Sequence, residues 1–230
     1  MKKHFWKYVL VAAIVAIAAG FTAQRLYVKK TQGPRNPHGT GLGALEKTPD
    51  MNNSDPETLK QLGIAYHGQA VEDPAAFAPK AVEFLTAAHD AKTEDWEALS
   101  YLGSATTMLA MTTDDLMEKM TYVNQGIGYM DKAVRRDPDN PTVRLVRANN
   151  AMALPDFLNR RHMAVADFEH LAVLFGSHPE MPAALKAEVF SKLVQLYEQS
   201  GDAEAARRYA QKAAEAADRA GGTAKGVEER

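Results

Sequence analysis

Few side chains in this sequence have the type and spacing that catalysis or metal binding requires. The 230 residues include seven histidines and no cysteine, which excludes disulfides, thiolate metal ligands and a cysteine nucleophile. The most suggestive spacing is that of His162, Asp167 and His170 on one predicted helix. Residues eight positions apart lie two helical turns from each other, too far to share an ion easily. We therefore expect solvated or partly packed histidines, no metal site and no cofactor.

Motifs for acid–base chemistry and nucleotide binding are also missing. His89-Asp90 and Asp114-Asp115 stand where helix ends are expected. The glycines in residues 39–43 follow no predicted strand, so they do not form a phosphate-binding loop. The sequence contains neither a G-x-S-x-G nor an H-E-x-x-H motif. We therefore expect the protein not to be an enzyme.

An uncharged apolar run occupies residues 8–23, between two basic flanks. With its flanks, residues 5–28 approach the roughly 20 residues that cross a bilayer, provided that Lys7 and Arg25 extend their charges to the interface. We predict that residues 1–30 form a single-pass membrane anchor. A cleaved signal peptide is the alternative, because small residues in the run allow a cleavage site.

The charge distribution bears on location and on partners. Short N-terminal tails that are basic from the first residues usually stay in the cytoplasm, although the two flanks here nearly balance. We therefore expect a bacterial inner-membrane protein with its folded part in the periplasm. Beyond residue 30 the chain holds 21 basic and all 29 acidic residues, a net charge of −8. Since nucleic-acid binding needs a basic surface, we expect no nucleic-acid partner.

Composition divides the rest of the chain into three parts. Residues 31–55 are rich in glycine and proline, have little apolar periodicity and are predicted to be a flexible linker, in which His38 is solvated. Residues 56–220 show helical periodicity and are predicted to be the folded domain. Residues 221–230 are predicted to be a disordered tail.

Helix start and stop signals divide residues 56–220 into four helix pairs, so the predicted fold class is all-α. Asp137-Pro138 ends one helix, and Asp139 or Asn140 can cap the next, which starts at Pro141. Ser54 or Asp55 can cap the first helix, and Gly201 is placed to end a helix in the left-handed conformation. The predicted pairs are a helix from residue 56 with 79–91, 94–111 with a long helix from about 114 to 136, 141–153 with 160–175, and 181–199 with 202–220.

Two groups of residues have alternative interpretations. The methionines are expected to lie mainly in the core, with an adaptable binding surface as the alternative; they are Met108, Met111, Met117, Met120 and Met130. Asn149-Asn150 lies inside a predicted helix, where asparagine is unfavourable, so at least one side chain should find a partner if it is buried. That partner is either the helix break at residues 154–155 or a ligand.

The helix pairs resemble the tetratricopeptide repeat (TPR), a 34-residue helix–turn–helix with small residues where its helices meet. The fourth pair is the most similar, and the resemblance covers residues 56–220. Its residues are Leu193, Tyr197, Gly201, Asp202, Ala206, Tyr209 and Ala213 in the fourth pair; Ala148, Ala164, Phe168 and Leu171 in the third; Leu102, Gly103, Ala133 and Pro138 in the second; Leu62, Gly63, Tyr66, Ala81 and Ala88 in the first.

The resemblance implies a right-handed superhelix of about four TPR-like pairs, with a concave groove that holds a protein or a peptide. Some TPR domains clamp a peptide carboxylate, but only Lys60 and Asn149 match the residue types of that clamp. The positions that the family turns into its groove are Lys60, His67, Ser100, Ser104, Asn149, Lys192, Gln195 and Gln199.

The function that these observations favour is a membrane-anchored extracytoplasmic scaffold or assembly factor. Its partner would be a membrane-associated protein or peptide, held near the bilayer by residues 5–28. One alternative is a chaperone of the cytochrome c maturation type, and another is a subunit of an envelope or secretion complex. An alternative from a different class is a helical enzyme or ligand-binding module that uses His67 or His162.

Overall fold

The computed structural model describes residues 54–225, and all its regular elements in that range are helices. The predicted all-α class is confirmed for these residues. The predicted anchor, the linker up to residue 53 and residues 226–230 of the predicted tail lie outside the described residues. The helices are α1 Pro56–Ala70, α2 Pro74–Ala91, α3 Trp96–Leu109, α4 Leu116–Arg136, α5 Pro141–Ala153, a short 3₁₀ helix Asp156–Leu158, α6 Arg161–Ser177, α7 Ala183–Ser200 and α8 Ala203–Lys225.

Side-chain caps set most of the helix starts. Asp55, rather than Ser54, begins α1, and its Oδ1 accepts two backbone N–H groups of the first turn at 3.1 and 3.0 Å. Asn140, rather than Asp139, begins α5 in the same way, at 3.0 and 3.2 Å. Gly201 ends α7 with φ 82°, the left-handed conformation that glycine adopts without steric cost. These local predictions are confirmed.

Two helix boundaries differ from the prediction. Helix α2 begins at Pro74 instead of Pro79, because Asp73 caps it and Pro74 occupies the first position, where a proline needs no N–H. Pro79 lies inside the helix. Helix α8 reaches Lys225, five residues beyond its predicted end. The predicted long α4 is confirmed, with Asp115 as its cap.

The described helices belong to two compact units that meet in sequence between Leu158 and Asn159. In the first unit, α1 packs on α2 and α3 on α4, while α5 packs on both α3 and α4. In the second unit, α7 packs on α8 and α6 packs on α7. The predicted third pair is therefore divided, with α5 in one unit and α6 in the other. The helix break at residues 154–155 separates them in sequence.

Apolar side chains form the core of each unit. In the first, Ala81, Leu85, Leu99 and Ala133 are almost completely buried in one cluster that joins α2, α3 and α4. In the second, the fully buried side chains include Phe168. The buried alanines occupy positions where the TPR resemblance places small residues, which let two helix backbones approach closely.

The methionine prediction is right for Met130 and wrong for Met111 and Met117. Met130 is buried, whereas the exposed fractions of Met111 and Met117 are 37% and 76%. Gly126 marks the side of α4 that packs on α3. Met130 follows it by four residues and shares that side, while Met117 precedes it by nine residues and lies on the opposite side. Helical register therefore decides which of these methionines is core.

Candidate protein-binding face

His67 on α1 contacts α3 at two residues. Its Nε2 lies 2.8 Å from the Ser104 hydroxyl, and its ring packs edge-on against Tyr101 with 5.2 Å between the ring centroids. Burial lowers the pKa of His67 to about 4, so the imidazole is neutral near pH 7. A neutral imidazole and a hydroxyl thus share one hydrogen bond across the α1–α3 contact.

Lys60 makes a second contact between the same helices. Its ammonium lies 2.8 Å from Glu57 on α1 and 3.1 Å from Asp95 at the start of α3. Burial lowers the pKa of Lys60, but the hydrogen bonds to Glu57 and Asp95 raise it more, so the net pKa lies above its usual value. Lys60 is buried and its charge is already balanced by carboxylates. A peptide carboxylate would have to compete with both of them.

Helices α3 and α5 are joined by two buried hydrogen bonds. The Ser100 hydroxyl donates to the carbonyl oxygen of Val143 at 3.3 Å. The side-chain amide of Asn150 donates to the Thr107 hydroxyl oxygen at 2.6 Å. Asn150 is buried, whereas the adjacent Asn149, which was a predicted groove residue, is half-buried. The Asn150 side chain thus binds α3 and does not cap the helix break that follows α5.

The orientation of the Asn150 amide follows from its partner. The Thr107 hydroxyl donates its only hydrogen to the carbonyl of Ser104 at 2.7 Å, so its oxygen must accept from Asn150. Within the described residues, the Oδ1 atom of Asn150 has no hydrogen-bond partner. A buried acceptor without a partner is unfavourable by about 1–3 kcal/mol. The sequence showed an unusual asparagine pair, but it did not show which member is buried.

We use the name α1–α3–α5 face for the side of these helices that includes Lys60, His67, Tyr101, Ser104 and Asn149; Lys60 and Ser104 are buried, and the other three are half-buried. Among these, Tyr101 was not a predicted site residue. It is half-buried and packs against the core cluster that joins α2, α3 and α4. Burial raises the pKa of Tyr101, so its phenol stays protonated near neutral pH. The face therefore combines one aromatic ring with neutral polar groups and a paired lysine.

The other three predicted groove residues lie on α7 in the second unit. Lys192 and Gln195 are half-buried, and Gln199 is exposed. The side-chain oxygen of Gln199 accepts a hydrogen bond from the Arg161 guanidinium on α6. These three residues share one helix, at spacings of three and four positions that place them on one side of it.

Two tyrosines of the second unit meet at one carboxylate. The Tyr197 hydroxyl donates to Glu169 at 2.5 Å, and the Tyr209 hydroxyl lies 3.5 Å from the same oxygen. The two rings stack with 5.8 Å between their centroids. Burial, and then the hydrogen bond to Glu169, raises the pKa of Tyr197. Both tyrosines belong to the TPR resemblance, and the contacts show that they connect α7 and α8 to α6.

The histidine and aspartate residues of α6 do not converge. Asp167 is fully buried, whereas His162 is exposed and His170 is half-buried. Within residues 54–225, no group of three histidine, aspartate or glutamate side chains is arranged to hold a metal ion. The spacing of His162, Asp167 and His170 therefore reflects the turns of one helix, which buries Asp167 and exposes His162.

Residues 54–225 thus form an all-α fold built from packed helix hairpins. No protein-family model and no curated protein matches this chain. A solved structure titled "MamA MSR-1 C2" is similar over 86% of this chain and 95% of its own chain, with 20% sequence identity and a TM-score of 0.46. Similarity at this level is too low to transfer a function or a site. Conclusions about function therefore rest on this chain's own residues.

Proposed function

We propose that this protein is a non-enzymatic interaction scaffold whose α1–α3–α5 face binds a peptide or a segment of another protein. The observation that carries the proposal is the contact of His67 with Ser104, which fixes α1 against α3 beside the half-buried ring of Tyr101. A preformed surface loses little conformational freedom on binding. Tyrosine is enriched among the residues that contribute most to protein interfaces.

The chemistry of the face favours an uncharged partner segment. His67 is neutral, Tyr101 is protonated, and the charge of Lys60 is balanced by Glu57 and Asp95. Peptide amides and polar or aromatic side chains can exchange hydrogen bonds with such a surface without the desolvation of an unpaired charge. The half-buried Asn149 supplies both a donor and an acceptor.

The membrane location is also part of the proposal. Residues 5–28 would anchor the chain in a bacterial inner membrane, residues 31–55 would act as a spacer, and the helices would lie in the periplasm. The apolar run at residues 8–23 supports this proposal. Among residues 54–225, no helix has both the length and the apolar character needed to span a bilayer. Confinement at the membrane would raise the effective concentration of a membrane-bound partner.

A photo-crosslinking experiment in intact cells tests the binding face. The full chain would carry a photoreactive phenylalanine analogue in place of Tyr101, which keeps an aromatic ring at that position. In a matched chain the analogue would replace Glu83, an exposed residue of α2. We expect a defined partner to crosslink at Tyr101 and not at Glu83, and mass spectrometry would identify it. Equal crosslinking at both positions would contradict the proposed face.

Once the partner is identified, alanine variants measure the contribution of each unit. Asn149→Ala should weaken binding by about 1–2 kcal/mol, as expected for the loss of an interfacial hydrogen bond. Gln195→Ala on α7 should be measured separately, because it belongs to the other unit. Arg135→Ala, at an exposed position of α4, is the control and should leave affinity unchanged.

The membrane proposal has its own test. A reporter that is active only outside the cytoplasm would be fused after Arg230, and the N-terminal mass of the membrane-extracted chain would be measured. We expect an active reporter and a chain that retains residues 1–30. A silent reporter would reverse the proposed orientation. A chain that begins shortly after the apolar run would identify a cleaved signal peptide instead.

A further inference from the structure

Large apolar side chains of the first unit are exposed in two segments, residues 110–120 and 155–158. Met117 and Phe157 have exposed fractions of 76% and 50%, and Met111 has 37%. Phe157 and Met120 line a shallow surface concavity, and Lys119 lines it as well. We call these four residues and the concavity the methionine patch. Exposed apolar clusters of this kind are typical of interaction sites.

The four residues of the patch come from two segments of the first unit, and the concavity joins Met120 to Phe157. Met117 precedes Met120 by three positions, so both lie on one side of the first turns of α4. Met111 directly follows Ala110, whose side chain forms another wall of the concavity. The 3₁₀ helix that follows α5 supplies Phe157. The patch thus combines the α3–α4 connection with the segment after α5.

The segments that carry the patch are acidic. Residues 110–120 and 155–158 contain four carboxylates and a single cation, Lys119. The carboxylates are Asp114, Asp115, Glu118 and Asp156, and all four residues are exposed. Asp115 accepts backbone hydrogen bonds at the start of α4, and Glu118 accepts a hydrogen bond from the Tyr122 hydroxyl. The two segments that carry the apolar side chains therefore have a net charge of −3.

We propose that the methionine patch docks a basic amphipathic helix of a partner protein. Apolar side chains at spacings of three and four residues would lie on Met117, Met120 and Phe157. Lysine and arginine side chains on the flanks of that helix would face the acidic residues. Unbranched methionines adjust their rotamers to the side chains that they meet. This site is separate from the α1–α3–α5 face and does not depend on it.

The experiment uses the purified full chain and a synthetic probe. The probe is a fluorescent helical peptide of about 18 residues, made of leucine and lysine, with the leucines on one side. One control peptide has glutamate in place of lysine, and another has the same composition in scrambled order. Fluorescence anisotropy in one neutral detergent gives each Kd. We expect the basic amphipathic peptide to bind more tightly than both controls, and its affinity to fall as salt increases.

Matched variants connect that affinity to the patch. Met117→Ser and Phe157→Ser should each weaken binding about tenfold, the loss expected for an apolar side chain at the centre of an interface. The control is Val173→Ser on α6, which changes a residue with an exposed fraction of 72% in the other unit. It should leave the Kd unchanged. Asp114→Asn should weaken binding and reduce its salt dependence.

Three outcomes would overturn the proposal. The first is equal binding of the amphipathic and scrambled peptides, which would indicate nonspecific adsorption. The second is a Kd that Met117→Ser and Phe157→Ser do not change. The third would come from a photoreactive residue in place of Phe157: if it crosslinks only to residues of the same chain, the patch is covered from within. None of these results concerns Tyr101, so the proposed function is tested independently.

Discussion

Gly103 on α3 and Gly126 on α4 face each other at a distance that leaves no room for a side chain on either residue. A Cβ atom added to Gly103 would lie 2.6 Å from the carbonyl oxygen of Gly126 and 2.8 Å from Cγ of Met130. A Cβ atom added to Gly126 would meet the Gly103 carbonyl in return. The backbones of α3 and α4 are therefore in direct contact at these two glycines, and the two helices pack closely there.

The first prediction follows from that contact. Gly126→Ala should lower the free energy of unfolding by about 1–3 kcal/mol, because backbone atoms cannot move aside as a flexible side chain does. Gly128→Ala is the control on the same helix, since a Cβ atom there has open space. It should raise stability by up to about 1 kcal/mol through helix propensity. Urea unfolding followed by circular dichroism measures both, and equal effects would contradict the contact.

A second prediction concerns Ala133, which is fully buried among Leu99, Leu102 and Val143. Ala133→Glu should cost several kcal/mol, roughly 3–5, because it places an unpaired charge in the core. Asn124→Glu introduces the same side chain at an exposed position of α4 and should change stability by less than about 0.5 kcal/mol. Thermal unfolding compares the two variants. An unchanged melting temperature for Ala133→Glu would mean that α4 is not packed in this register.

The third prediction is a pH dependence caused by His67. Its pKa is about 4 in the folded chain and 6.5 without burial, so the unfolded state binds the proton more readily. The stability that neutral His67 contributes is complete above pH 6.5 and is lost as pH falls towards 4. This difference corresponds to about 3 kcal/mol, and partial exposure of the ring reduces the expected loss to about 1–2 kcal/mol.

His67→Gln is the control for that effect, since an amide keeps a hydrogen bond to Ser104 but does not titrate. Urea midpoints at pH 7 and pH 4.5 would be compared for both chains, because carboxylates also begin to titrate in this range. We expect the native chain to lose more stability than the variant. Equal losses would show that His67 is solvated and not buried against α3.

The fourth prediction is a coupling between Thr107 and Asn150. Thr107→Val keeps the shape of the side chain but leaves the buried amide of Asn150 without its partner, at a cost of about 1–3 kcal/mol. Asn150→Leu removes that amide together with its unpaired oxygen and should cost less than about 1 kcal/mol. The double variant should therefore be more stable than the sum of the single changes predicts. Additive effects would show that the hydrogen bond does not form.

From the sequence, the ends of helices were predicted more accurately than the burial of individual side chains. Asp55, Asn140 and Gly201 were identified as end residues because each acts on backbone groups within a few positions of itself. Pro79 misled the prediction of the start of α2, since Asp73 and Pro74 together provide a better start five residues earlier. Both Pro79 and the Asp73–Pro74 pair are local signals for a helix start. The sequence did not show which of them begins α2, and the structure does.

The candidate site was predicted only in part, for a related reason. His67, Ser100 and Ser104 were assigned to one face, and the structure brings His67 and Ser104 into contact and joins Ser100 to Val143. Tyr101 was not among the predicted site residues. The role of His67, Ser100 and Ser104 in binding stays a prediction. Family positions indicate which side of a helix a residue occupies, but they do not show how much of it a neighbouring helix covers.

By itself, the sequence determined the helical class, the caps and the small residues at helix contacts, because these depend on interactions within one or two turns of chain. Only the tertiary structure decided between neighbours of the same type: Asn150 inside and Asn149 half-covered, Met130 buried and Met117 exposed. The partner of Asn150 is Thr107, 43 positions away. Burial depends on how such distant segments approach each other, and that approach is set by the packing of all the helices together.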